Sequence, residues 1–114
     1  MPPMPPRPNP LKLNKLQLRT LALAQLIAGE PQSGARDEAT GEVTLQSLPQ
    51  PHGDHVHVAD IVVAAREVSG FANPAVWTAL QRKGLARPGG PVGVILTAEG
   101  VTYETGLSER VRPT

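Results

Sequence analysis

The stretch FANPAVWTALQRKGLARPGGPVGVILTAEG, residues 71–100, decides how this chain is read. Asn73 followed by Pro74 is a helix start: an asparagine side chain accepts from an unpaired N–H of the first turn, and proline at the first helical position has no N–H to leave unbonded. Val76, Trp77 and Leu80 then recur at helical spacing, which predicts a helix buried along that face. Gly84 ends it, because glycine takes the positive φ that a sharp turn out of a helix requires.

Working outward, ADIVVAAREVSG (59–70) has Ile61, Val62, Ala65 and Val68 at helical spacing, Asp60 in the first turn and Gly70 at the end. That predicts a helix before the one at Asn73, and two short helices joined by a tight glycine-containing turn make a helix-turn-helix pattern. Upstream again, EVTLQSL (42–48) and HVHV (55–58) each alternate apolar with polar residues, and PQPHGD lies between them. An inserted β-hairpin over 42–58 is the economical reading, with Val56 and Val58 on its buried face and His55 and His57 on the other. EPQSGARDEATG (30–41) is polar and rich in turn formers, and reads as a flexible loop.

LNKLQLRTLALAQLIAGE (13–30) carries a reciprocal capping box at Asn14 and Gln17, a staple pair at Leu13 and Leu18, and a stop at Gly29. Its leucines surround most of the helix, so it must be covered on more than one side. Either a second copy covers it, giving a homodimer through the helix at 15–28, or its own chain wraps it. The proline-rich residues 1–10 and the segment 108–114 are expected to be disordered tails around one domain at 11–107.

A chain of 114 residues has room for one core. It contains no cysteine, which excludes disulfides and thiolate metal sites. No signal peptide or long apolar run is present, so the expected compartment is the cytoplasm and no membrane partner is implied. With 11 basic and 10 acidic residues the net charge is only +1, so any attraction to phosphate must be local.

AVWTALQRKGLARPGGPVGVILTAEG (75–100) resembles the second half of a bacterial winged helix-turn-helix domain, and LNKLQLRTLALAQ (13–25) resembles the opening helix of its MarR-like members. Arg82-Lys83-Gly84-Leu85 matches the corner after the recognition helix, Arg87-Pro88-Gly89-Gly90-Pro91 stands at the wing tip, and Val94 to Leu96 form the returning strand. Leu96-Thr97-Ala98-Glu99-Gly100 matches the exit into a further helix. The resemblance implies an α+β winged helix-turn-helix fold, mostly helical with a small antiparallel sheet. Thr97 can cap a helix over AEGVTYETG; a hairpin with AEG as its turn is the alternative, which β-branched Val101 and Thr102 favour.

The resemblance also implies a transcriptional regulator that binds double-stranded DNA. The recognition helix would offer Asn73, Ala75, Thr78, Gln81 and Arg82 towards base edges, with Lys83, Arg87 and Arg66 on phosphates. The set is thin, for the first two turns of that helix hold no Arg or Lys and the wing carries one positive charge. The same surface would equally serve a winged-helix adaptor that grips protein.

His52, His55 and His57 lie within six positions. Zinc needs three or four ligands at about 2.0–2.2 Å, and no second ligand cluster exists to close the shell. A polar strand face is the plainer reading; a histidine metal site and a pH-responsive patch are the alternatives. No nucleophile has a convincing base beside it in sequence, and no cofactor motif is present, so an enzyme is not expected.

Overall fold

Helix α1 (Lys15–Ala28) forms where its capping signal lies, in a computed structural model that describes residues 9–49, 53–59 and 61–106. The Asn14 side chain accepts from the Gln17 N–H at 2.8 Å, and the Gln17 side chain accepts from the Asn14 N–H at 3.0 Å. Thr20 to Ala24 and Leu26 to Ala28 are all buried, on every side of the axis. The cover comes from this chain itself, which packs two later helices, a 3₁₀ helix and three strands around α1. The apolar girdle that suggested a second copy is thus satisfied internally. Gly29 does stop the helix, although at φ −79 it is right-handed and uses none of glycine's special freedom.

Strands β1 (Gly34–Arg36), β2 (Val43–Leu45), β5 (Ala86–Arg87) and β6 (Ile95–Leu96) make an antiparallel sheet in the order β1-β2-β6-β5. The register Val43↔Leu96 and Ala86↔Leu96 aligns β2, β6 and β5 on one level. Val43, Leu45 and Leu96 turn inward and join Leu21, Leu23, Leu80 and Leu85 as the most deeply buried large side chains. Each contributes about 1.5–3 kcal/mol relative to exposure, and together they compensate for a core with few aromatics.

Three expectations need correction here. The hairpin over 42–58 does not form: β2 pairs with β1 and β6, while β3 (His55–Val58) pairs with β4 (Ile61–Ala64) as a separate hairpin. The loop at 30–41 contains β1, so it is partly ordered into the sheet edge. The helix expected from residue 59 is instead β4 followed by a 3₁₀ helix (Ala65–Ala72).

Physical reasons lie in the same residues. Ile61, Val62 and Val63 are β-branched and suit a strand, and Ala59 at φ +54 lets the chain reverse between β3 and β4. Burial alternates accordingly, with Ile61 buried and Val62 59% exposed. In the 3₁₀ helix, positions three apart eclipse, so Val68 and Phe71 both face the core. Val56 and Val58 are buried as the alternation required.

Helix α2 (Pro74–Arg82) follows with the expected cap: the Asn73 side chain accepts from the Ala75 N–H at 3.0 Å. Val76, Trp77 and Leu80 are its buried residues. Gly84 then adopts φ +77, which turns the chain back, and Leu85 beneath it is only 1% exposed. The residues 98–106 resolve towards the helical alternative, α3 (Ala98–Thr102), rather than the hairpin.

The corner and the exit motif prove to be one joint. Thr97 Oγ1 donates to the Gly84 carbonyl at 2.6 Å and accepts from the Gly100 N–H at 3.1 Å, while the Thr97 N–H donates to the Leu85 carbonyl at 3.2 Å. Gly100 is needed because a Cβ there would press on the Leu85 carbonyl group, with its carbon at 2.9 Å. Gln25, a polar interruption in α1, donates from Nε2 to the Gly100 and Tyr103 carbonyls at 3.0 and 2.9 Å, so α1 clasps the far end of α3.

Candidate nucleic-acid interface

Helix α2 rests on the core through Trp77, whose indole N–H donates to the Phe71 carbonyl at 2.9 Å and whose ring tilts against Phe71 with centroids 5.9 Å apart. Fixing that face sends Ala75, Thr78, Gln81 and Arg82 to the exposed side, where four of the five base-facing candidates stand together. Asn73, the fifth, is half-buried and its Oδ1 is engaged in the cap. Its capacity to read adenine through both amide atoms is therefore reduced.

The phosphate candidates divide. Lys83, at the C-cap of α2, is exposed and donates from Nζ to the Leu11 carbonyl at 3.2 Å. Arg66 is exposed on the 3₁₀ helix. Arg87, at the end of β5, forks onto both carboxylate oxygens of Glu42 at 2.9 and 2.7 Å. That hydrogen-bonded pair lowers the Glu42 pKa and raises that of Arg87. The one positive charge of the segment expected to form a wing is thereby paired with a carboxylate beside β2, something the sequence spacing of 45 residues gave no hint of.

Two concave features also escaped the sequence. A cavity of about 320 Å³ lies beside α2, lined by Phe71, Trp77, Thr78 and Gln81, with Leu48 and Val92 from segments outside the helix. A second, of about 180 Å³, brings Ser33, Ser47 and His57 to one lining from three separate segments. His57 is exposed on β3, across from Val62. His52 lies outside the described residues, as does Asp60, and of His55 only the backbone is described. Among the described residues no group of three His, Cys, Asp or Glu side chains is placed to hold a metal. Also among them, no helix is long and apolar enough to cross a membrane.

No protein-family model, curated protein or solved structure matches this chain.

Proposed function

We propose that this chain is a winged-helix protein that binds double-stranded DNA and regulates transcription. One observation carries the reading: β2, β6 and β5 are antiparallel neighbours in that order, with the β3–β4 hairpin, the 3₁₀ helix and α2 between β2 and β5 and with α1 and the extra edge strand β1 ahead of them. Helix, strand, helical pair, strand, wing, strand is the order of a winged helix, and the 3₁₀ segment stands where a first helix of the pair belongs. In this reading α2 enters the major groove with Ala75, Thr78 and Gln81 towards the bases, and, with Arg87 held by Glu42, Arg82 from the end of the base-facing set joins Lys83 and Arg66 on phosphates.

Binding of this kind is weak and salt-sensitive. Each phosphate contact contributes a slope of about −0.9 in log affinity against log salt, so three contacts per chain give about −2.7. A homodimer would double this, with an interface away from α1, whose apolar residues are already covered. The test is a gel shift with random duplex at low salt, repeated with Arg82 and Lys83 both changed to alanine. A shift in the parent that weakens in the double variant supports the reading.

A second reading, a winged-helix adaptor that binds protein, is favoured by the groove between α2 and the wing and by the neutralised Arg87. An absence of any shift in the parent at low salt selects it. Neither reading requires catalysis, a cofactor or a metal.

A further inference from the structure

We infer that the strap Asn9–Leu13 is a preset arm that holds Lys12 beside Lys83 as an additional phosphate-contacting group on the flank of α2. The inference rests on the DNA-binding reading. Asn9 and Tyr103 build the anchor: the Tyr103 hydroxyl donates to Asn9 Oδ1 at 2.7 Å and accepts from the Leu11 N–H at 2.8 Å. Asn9 in turn brackets Leu13, accepting from its N–H at 2.8 Å and donating from Nδ2 to its carbonyl at 2.9 Å. Leu13 is buried in the core, so the strap is pinned at both ends.

Between those pins the chain is bent unusually. Lys12 sits at φ +57, a left-handed conformation that costs a non-glycine residue on the order of 1 kcal/mol and persists only where surrounding bonds impose it. The same bend directs the Leu11 carbonyl to Lys83 Nζ at 3.2 Å. Lys12 follows that carbonyl directly in the chain, so its backbone lies beside the end of the Lys83 side chain although the two residues are 71 positions apart in sequence.

Charge pairing separates this spot from the wing. Arg87 and Arg19 are held by Glu42 and Glu67, whereas among the described residues no carboxylate lies within ion-pair distance of Lys12, Lys83 or Arg82. Glu104 is the acidic residue nearest along the anchor, its backbone carbonyl accepting from the Asn9 N–H at 2.6 Å, but its carboxylate accepts from Gly106 at 3.1 Å in its own turn. Paired lysines without a counterion, held in place by a strained strap, fit a polyanionic backbone.

Lys12 is the contacting group and Tyr103 the positioning residue. The experiment is fluorescence anisotropy with a random duplex over a salt series, on the full chain and on Lys12→Ala, Tyr103→Phe and the double variant. Lys12→Ala is expected to weaken binding several-fold and to flatten the salt slope by about 0.9. Tyr103→Phe is expected to weaken binding in the parent background and to have no effect on binding in the Lys12→Ala background, while lowering the melting temperature equally in both. An unchanged slope in Lys12→Ala, or a Tyr103→Phe loss that persists without Lys12, overturns the inference and leaves the DNA reading standing. A parent chain that gives no anisotropy change overturns both.

Discussion

Replacing Gly100 by alanine tests the joint between the corner and α3 directly. In an ordinary helix interior the change stabilises by about 0.8–1 kcal/mol, because alanine restricts the unfolded chain. Here the added methyl meets the carbonyl of Leu85, with the carbonyl carbon at 2.9 Å and the Cα at 3.3 Å. These are backbone atoms, and they cannot rotate away as a side chain would. Overpacking of this kind costs about 1–3 kcal/mol, and the rigid partner places this site in the upper half of that range. The net expectation is a loss of about 1–2 kcal/mol, which for a domain of this size lowers the melting temperature by about 4–10 °C.

Gly29→Ala is the matched control: its φ of −79 is open to any residue and the nearest atom to an added Cβ is the Leu26 carbonyl oxygen at 3.5 Å. It should gain about 0.4–1 kcal/mol and melt a few degrees higher. Thermal unfolding followed by far-ultraviolet circular dichroism reads both. A Gly100→Ala protein that melts at or above the parent would show that α3 does not press on the Leu85 backbone, and the coupled reading of the two motifs would fall.

Further tests address the other supports. Asn14→Ala removes the accepting half of the capping box and should cost about 1 kcal/mol in urea unfolding; a change within error would mean that α1 is held by packing alone. Gln25→Met keeps the side chain's length but strands the Gly100 and Tyr103 carbonyls, so about 1–3 kcal/mol should be lost, with the strongest change in hydrogen exchange at 98–103. Glu42 has its pKa lowered by the Arg87 hydrogen bond below the usual 4.5. Its ionised form therefore contributes stability above that unfolded value, and the contribution disappears as pH falls through the lowered folded value. Glu42→Gln should remove this share of the acid dependence below about pH 4.5, and titration curves that superimpose with the parent's would refute it.

Local signals were legible wherever a residue's chemistry acts on its own neighbours. The caps at Asn14 and Asn73 and the turn at Gly84 all read correctly, because each is settled within a few positions by a side chain's reach or a glycine's φ. Strand pairing was not legible in this way. EVTLQSL alternates as an edge or a central strand would, and nothing within it says that its neighbours are Gly34–Arg36 and Ile95–Leu96 rather than His55–Val58.

The stretch at 59–70 failed for a sharper reason. Ile61, Val62, Ala65 and Val68 match a helical spacing, but the first two serve a strand and the fourth a 3₁₀ turn. A periodicity spanning a boundary between elements belongs to neither. In the candidate interface, the exposed face of α2 followed from Trp77 and Leu80, whereas the neutralising Glu42 and the strap that carries Lys12 arise from long-range contacts.

In the proposed reading the Arg87–Glu42 pair also limits what the segment between β5 and β6 contributes to binding. With the arginine side chain 51% accessible, the pair is open to solvent, screened by salt and only weakly held. A phosphate contact is weakened by salt as well, by about eightfold per decade. In the proposed DNA-binding reading a phosphate therefore competes with Glu42 for Arg87, and salt weakens both partners of that competition. Glu42→Gln removes the competitor without emptying the site, so DNA affinity should rise by up to about fivefold and the salt slope should steepen by up to about 0.9. If neither changes, Arg87 does not reach the backbone, recognition rests on α2 and its flank alone, and the groove between α2 and the wing becomes the better account of this surface.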